Sequence, residues 1–186
     1  MDRLRTAKKF VDISADLPKR RGKRPITIRG PIHVQCGDHG DARRLRAIVE
    51  QVMAWPHVEA DPLPIGSANF VSLQLAEDSP VQGSSVFISG REFGRVLLGS
   101  PTIYLALPLQ WAHWAIVRGW AEPHFFSSFG VMPPGVMVVY TPRDEYEVAV
   151  CRSLVWVSYD FSLNANKYES AEANLKAYDL TALKAA

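Results

Sequence analysis

An apolar, largely β-branched run, Val136-Met137-Val138-Val139-Tyr140, passes directly into Thr141-Pro142-Arg143-Asp144. A long stretch follows in which Tyr146, Val150, Leu154, Val157 and Phe161 recur at helical spacing. A Thr cap, Pro at the first helical position and an acid three residues after the cap form a start signal. The expectation is a buried strand over 136–140 and a helix running to about Asp160. The strand's unbroken apolar character requires cover on both faces, so this unit demands a packed core with a sheet in its middle.

The remaining segments supply that core. Leu45, Ile48, Val49 and Val52 share one face of a helix between Asp38 and Ala54, with Asp41 as a candidate cap. Phe70 to Leu75 alternates and reads as a strand. Arg95–Leu98 and Thr102–Leu107 read as a hairpin around Gly99-Ser100-Pro101, and residues 109–118 as a helix closed by Gly119. Ile26-Thr27-Ile28 and Ile32-His33-Val34 read as strands with a Gly30-Pro31 break between them. Residues 1–12 have the pattern of a short helix. Strict βα alternation is absent, which predicts an α+β single domain with a largely antiparallel sheet and three to four packing helices. The expected organisation is an N-terminal segment over 1–13, a domain over 14–161 and a helical or frayed tail over 162–186.

Composition excludes several classes. With 186 residues, 47% hydrophobic and 22% charged, the chain can build a core without metals or disulfides. A net charge of +2 gives no general case for nucleic acid, and the basic run from Lys19 to Arg24 reads as a solvated loop, with a clamp for an anionic ligand or a phosphate backbone as the alternative. No run approaches the roughly 18 apolar residues of a membrane span, and no apolar stretch follows the charged N-terminus. Cys36 and Cys151 match no metal spacing and read as free thiols. The expected setting is the cytoplasm.

No phosphate-binding glycine loop, zinc-protease helix or nucleophile elbow is present. Three groups of residues remain as chemistry. His124 sits in a turn after Trp120-Ala121-Glu122-Pro123 and suits acid–base work, with Glu122 close enough in sequence to orient it. Arg95 and Tyr104 could meet across the predicted hairpin and, with Glu92, hold a carboxylate, phenolate or enolate, the alternative being an ordinary exposed charge pair. Trp111, Trp114, Trp120, Phe125, Phe126 and Phe129 crowd one turn, and read either as core or as aromatic walls for a flat ligand.

Arg118-Gly119-Trp120-Ala121-Glu122-Pro123-His124, followed by Met137 to Tyr140 and Thr141-Pro142-Arg143-Asp144-Glu145, resembles the luciferase-like domain shared by fungal luciferases and many bacterial proteins. Ala15-Asp16-Leu17-Pro18, Arg24-Pro25, Ser89-Gly90-Arg91-Glu92-Phe93 and Leu105-Ala106-Leu107 are similar to further family segments, so the resemblance covers roughly residues 14 to 160. The family's His-x-His-Pro pattern is replaced by Arg95-Val96-Leu97-Leu98, a further histidine by Tyr104, and the proline after His124 by Phe125. One of four family histidines is kept.

The resemblance implies an α+β fold and oxygen addition to a hydroxypyrone without an obvious organic cofactor. The resulting expectation is an enzyme with no cofactor or metal. Its substrate would be planar, acidic, and polyketide-like or phenolic, and the reaction an oxygenation or an acid–base cyclisation or isomerisation. His124, Tyr104, Arg95 and Glu92 would be catalytic, and Trp111, Trp120, Phe125 and Glu122 would bind substrate. The alternative is a non-catalytic ligand-binding or scaffolding protein. Trp111 and Trp114 permit a homodimer.

Overall fold

The computed structural model describes residues 17–65, 68–81 and 86–168. The predicted helix over 1–12 and the tail from residue 169 onward lie outside them. The architecture is α+β in one domain, as the segment pattern predicts. A six-stranded antiparallel sheet runs in the order β3 (Val58–Ile65), β4 (Ala68–Leu75), β5 (Glu92–Leu97), β6 (Thr102–Ala106), β8 (Val136–Val139), β7 (Ala121–Pro123), and a separate two-stranded sheet pairs β1 (Ile26–Ile28) with β2 (Val34–Cys36).

Antiparallel strands present alternate residues to opposite faces. On one face of the large sheet, Leu73, Leu75, Val96, Ile103, Leu105, Met137 and Val139 join the main core. Three helices cover it. These are α1 (Ala42–Val52), α2 (Leu109–Val117) and α4 (Glu145–Leu163). Asp41 caps α1 by accepting from the Arg43 amide, as expected. Leu45, Ile48 and Val52 are its buried residues. The other face is smaller, built from Phe70, Leu97, Tyr104, Ala106, Val136 and Val138. It is covered by β1 (Ile26–Ile28), β2 (Val34–Cys36) and the single-turn α3 (Phe125–Ser128).

Several boundaries move. Helix α4 begins at Glu145, and its cap is Asp144, which accepts from the Glu147 amide. Thr141 instead pairs with Gln35, whose side-chain oxygen accepts from the Thr141 amide at 2.9 Å. A strand needs partners more than it needs propensity, and two strands invisible as patterns form because partners are available. The first, β3 (Val58–Ile65), carries two prolines and lies at the sheet edge, where a missing N–H is tolerated. The second, β7 (Ala121–Pro123), was expected as a turn but pairs with β8 (Val136–Val139).

The basic run is not a uniformly solvated loop. Arg20 is buried, its guanidinium near the Trp120 and Tyr140 rings and 3.4 Å from Glu147. Arg24 donates to the Ile116 carbonyl at 2.6 Å. Cys36 and Cys151 are both free. No helix among the described residues is long and apolar enough to cross a membrane.

Candidate functional site

The register of the large sheet sets one row of side chains on the face away from the helices. Ser72 pairs with Arg95, Arg95 with Tyr104, Tyr104 with Val138, and Val138 with Glu122. The predicted meeting of Arg95 and Tyr104 is therefore present in the register. Glu92 joins them through an irregularity in β5 (Glu92–Leu97). In a regular strand, residues three apart face opposite ways. Here Leu73 pairs with Gly94 but Gln74 pairs with Glu92, leaving Phe93 as the extra residue of a bulge. Glu92 is thereby re-aimed onto the face of Arg95. The two form a bidentate pair, Arg95 Nε to Glu92 Oε1 at 2.7 Å and Nη2 to Oε2 at 2.6 Å. A fork of this kind is directional as well as strong.

His124 enters the same face as the cap of α3. Its Nδ1 accepts from the Phe126 amide at 3.3 Å, so the neutral ring carries its proton on Nε2. That Nε2 is buried and has no hydrogen-bond partner, and His124 is only 1% exposed. Its ring stands edge-on to Tyr104 with centroids 4.7 Å apart. Burial first, then the electrostatic opposition of His33 and Arg95, pushes the His124 pKa down to about 4. The imidazole is thus neutral near pH 7 and offers a donor at Nε2. Tyr104 is 4% exposed and donates to the His33 carbonyl at 2.8 Å. Burial raises its pKa to about 12 against the opposing effects of that hydrogen bond and of Arg95.

Glu122 does not orient His124. It accepts from Thr27 at 2.6 Å, from His33 Nε2 at 2.7 Å and from Tyr140 at 3.0 Å, with Arg29 Nε at 3.5 Å. Burial would raise its pKa, but the hydrogen bonds from His33, Thr27 and Tyr140 overcome this and hold it at about 2. His33 is fully buried, and its Nδ1 accepts from the Phe125 amide at 3.2 Å. The proton on its other nitrogen therefore goes to Glu122.

Of the eight expected residues, His124, Tyr104, Arg95, Glu92 and Glu122 share this face, and Phe125 borders it through its amide. Trp120 and Trp111 do not. Trp120 is fully buried in the helix-side core and donates to the Pro18 carbonyl. Trp111 packs at the margin of that core, edge-on to Trp114. Strand alternation does not set this, because both residues lie outside β7: Trp120 follows the turn at Gly119 (φ +79°) that ends α2 and packs into the helix-side core, while His124 comes after the strand as the cap of α3. His33 is the residue that sequence reasoning missed. Ile32-His33-Val34 carries a strand signal, and nothing local announces a partner 89 positions away.

Among the described residues, no three His, Cys, Asp or Glu are arranged to hold a metal ion. An open depression lined by His57, Val58, Glu59, Ala76, Glu77 and Asp78 lies beside β3 and the end of β4 (Ala68–Leu75), and contains none of the groups above.

Residues 90–158 match the family model described as Luciferase domain. The chain is also 26% identical over 165 residues to a protein of Armillaria ostoyae named Luciferase, which covers 80% of this chain and 62% of that relative. This chain therefore spans less than two thirds of the relative's length. No solved structure gives a significant match. Glu92, Arg95, Tyr104, Glu122 and His124 all fall inside the matched segment, and the two matches together support a luciferase-domain family for this chain.

Proposed function

We propose that the chain is a small-molecule enzyme without a tightly bound organic cofactor, acting at the His124–Tyr104–Arg95–Glu92 cluster on a planar, acidic, polyketide-like or phenolic substrate. The observation that carries this reading is the orphaned Nε2–H of His124. A buried donor without a partner costs about 1–3 kcal/mol, and proteins keep such groups where a ligand or water completes them. A neutral imidazole aimed at a substrate oxygen polarises a carbonyl or holds an enolate without bringing its own charge. Arg95 adds positive charge beside it, moderated by Glu92. The proton on Nε2 makes His124 a donor first. An acidic substrate that ionises readily needs less help from a protein base.

Two reactions suit an enolate held in this way. Dioxygen, as co-substrate, can add to the electron-rich carbon, a reading supported by the relative named Luciferase. Alternatively, the enolate carbon closes a ring or takes a proton elsewhere, a reading favoured by the replacement of histidines with Arg95 and Tyr104. Mass spectrometry of a hydroxypyrone incubated with the protein under labelled oxygen separates them. Label in the product supports oxygenation, and an unlabelled product eliminates it.

One observation favours a non-catalytic ligand-binding protein. The Tyr104 hydroxyl and the Glu122 carboxylate are already engaged within the protein, leaving His124 as the unengaged donor. His124→Asn and Tyr104→Phe decide the matter. If turnover survives both, the catalytic assignment fails, and if neither changes ligand binding, the site itself is misplaced.

A further inference from the structure

The cluster around His124 is closed in this structure. His124, Tyr104 and Glu92 are nearly or wholly buried, and the cover over His124 and Tyr104 is the β1–β2 segment, whose His33 ring stands 5.6 Å from that of His124 and whose His33 carbonyl accepts from Tyr104. That cover is not part of the large sheet, because neither of its strands pairs with any of the six. Its tip is tied down largely by polar side-chain contacts. Thr27, Arg29 and His33 all converge on one carboxylate, that of Glu122. Tyr104 adds its bond to the His33 carbonyl, and the Phe125 amide its bond to the His33 ring.

The two ends of the cover are held differently. Backbone in the left-handed region flanks it on both sides, at Gly22 (φ +83°) before it and at Gly37 (φ +80°) and Asp38 (φ +49°) after it. Arg143 clamps both ends, donating to the Arg21 carbonyl at 2.5 Å and lying 3.2 Å from Asp38. Glu147 fixes Arg143 in turn. Just inside those ends, Arg24 donates to the Ile116 carbonyl and Gln35 is held by Thr141 and Thr102, so the ends are anchored to the body, while the stretch between them is held by the Glu122 carboxylate and by the two bonds to His33, which describes a hinged element.

We propose that residues 25–34 form a strap that opens to admit substrate to the His124 cluster, with Glu122 as the main latch that closes it. This rests on the reading of that cluster as a ligand site. Glu122 is then a positioning residue. It reaches the site through Thr27 and His33, and controls access to His124 rather than the reaction. Local openings of this kind expose buried groups in proportion to their population.

The test is peptide-resolved labelling of histidines with diethyl pyrocarbonate on the full chain. Exposed His57 serves as the internal standard and the sheet amides, followed by hydrogen exchange, as the control for global unfolding. In Glu122→Gln and in the milder Thr27→Val, labelling of His33 and His124 is expected to rise about tenfold relative to His57, with protection of β6 (Thr102–Ala106) and β8 unchanged. Unchanged labelling in both variants overturns the strap. So does labelling that rises only in step with loss of β6 and β8 protection. Because the readout needs no ligand or turnover, its failure is distinct from failure of the functional reading, which His124→Asn tests through substrate.

Discussion

Replacing His124 with asparagine separates the two things this residue does for the fold. The asparagine side chain can still accept from the Phe126 amide, so the cap of α3 is kept. What disappears is the titrating imidazole with its orphaned Nε2. In the wild type, burial and the neighbouring His33 and Arg95 hold the His124 pKa at about 4 instead of 6.5. The folded state therefore binds fewer protons than the unfolded one at mildly acidic pH. The sign follows directly. This group's contribution is fully present above pH 6.5 and is lost as pH falls toward about 4. Between pH 7 and pH 5 the loss amounts to about 2 kcal/mol by linkage. Urea unfolding at a series of pH values reads it directly. At a slope of roughly 1–3 kcal/mol per molar, the wild-type midpoint should fall by about 1 M on this account alone. The asparagine variant lacks this component, and titrating groups that do not interact with His124 cancel in the difference. The stability gap between variant and wild type should thus move by about 2 kcal/mol in the variant's favour on acidification. A gap that stays constant from pH 7 to pH 5 would refute the reasoning, because it would mean that His124 titrates normally in the folded protein.

Tyr140→Phe removes a buried donor to an ionised carboxylate and should cost about 1.5–3 kcal/mol in denaturant unfolding; no measurable loss would mean that Glu122 does not need it. Asp144→Ala removes the cap of α4 and its 2.5 Å pair with Arg21, so a loss of about 1–2 kcal/mol is expected at neutral pH, fading as the carboxylate is protonated. Gly135→Ala would set a Cβ 2.1 Å from the Leu107 carbonyl oxygen, a backbone contact that cannot yield by rotamer, so the variant should lose several degrees or more in thermal midpoint. Glu92→Gln should loosen the Arg95 fork and weaken binding of an anionic ligand with little change in the circular dichroism of the sheet.

Much of the fold was legible because periodicity and start signals are local. The Asp41 cap, the apolar stripe of α1, the β5–β6 hairpin and the strand–helix unit from Val136 onward are all written within short windows of chain. The elements that escaped reading are those made by partners. β3, with Pro62 and Pro64, has no strand pattern and forms against β4. β7 is three residues long and exists because β8 offers an edge. Arg20 reads as one of several solvated cations, yet Trp120, Tyr140 and Glu147 bury it.

The candidate site divides along the same line. The sequence by itself determined that Arg95 and Tyr104 oppose one another, because a hairpin with a short turn allows few registers. It also determined that His124 follows a glycine-ended helix beside a buried strand. The tertiary structure alone decided which face each side chain takes. A one-residue bulge at Phe93 carries Glu92 to the side of Arg95. The chain's path at the two ends of β7 sends Trp120, just after α2, into the helix-side core and His124, the cap of α3, to the opposite face. Glu122 binds His33 rather than its sequence neighbour because a strap from the N-terminal part of the chain closes over it. Facing in a sheet changes with a single residue of register, and contacts between segments some 90 residues apart leave no local trace. The site's components could thus be named from the chain, while their arrangement required the packed molecule.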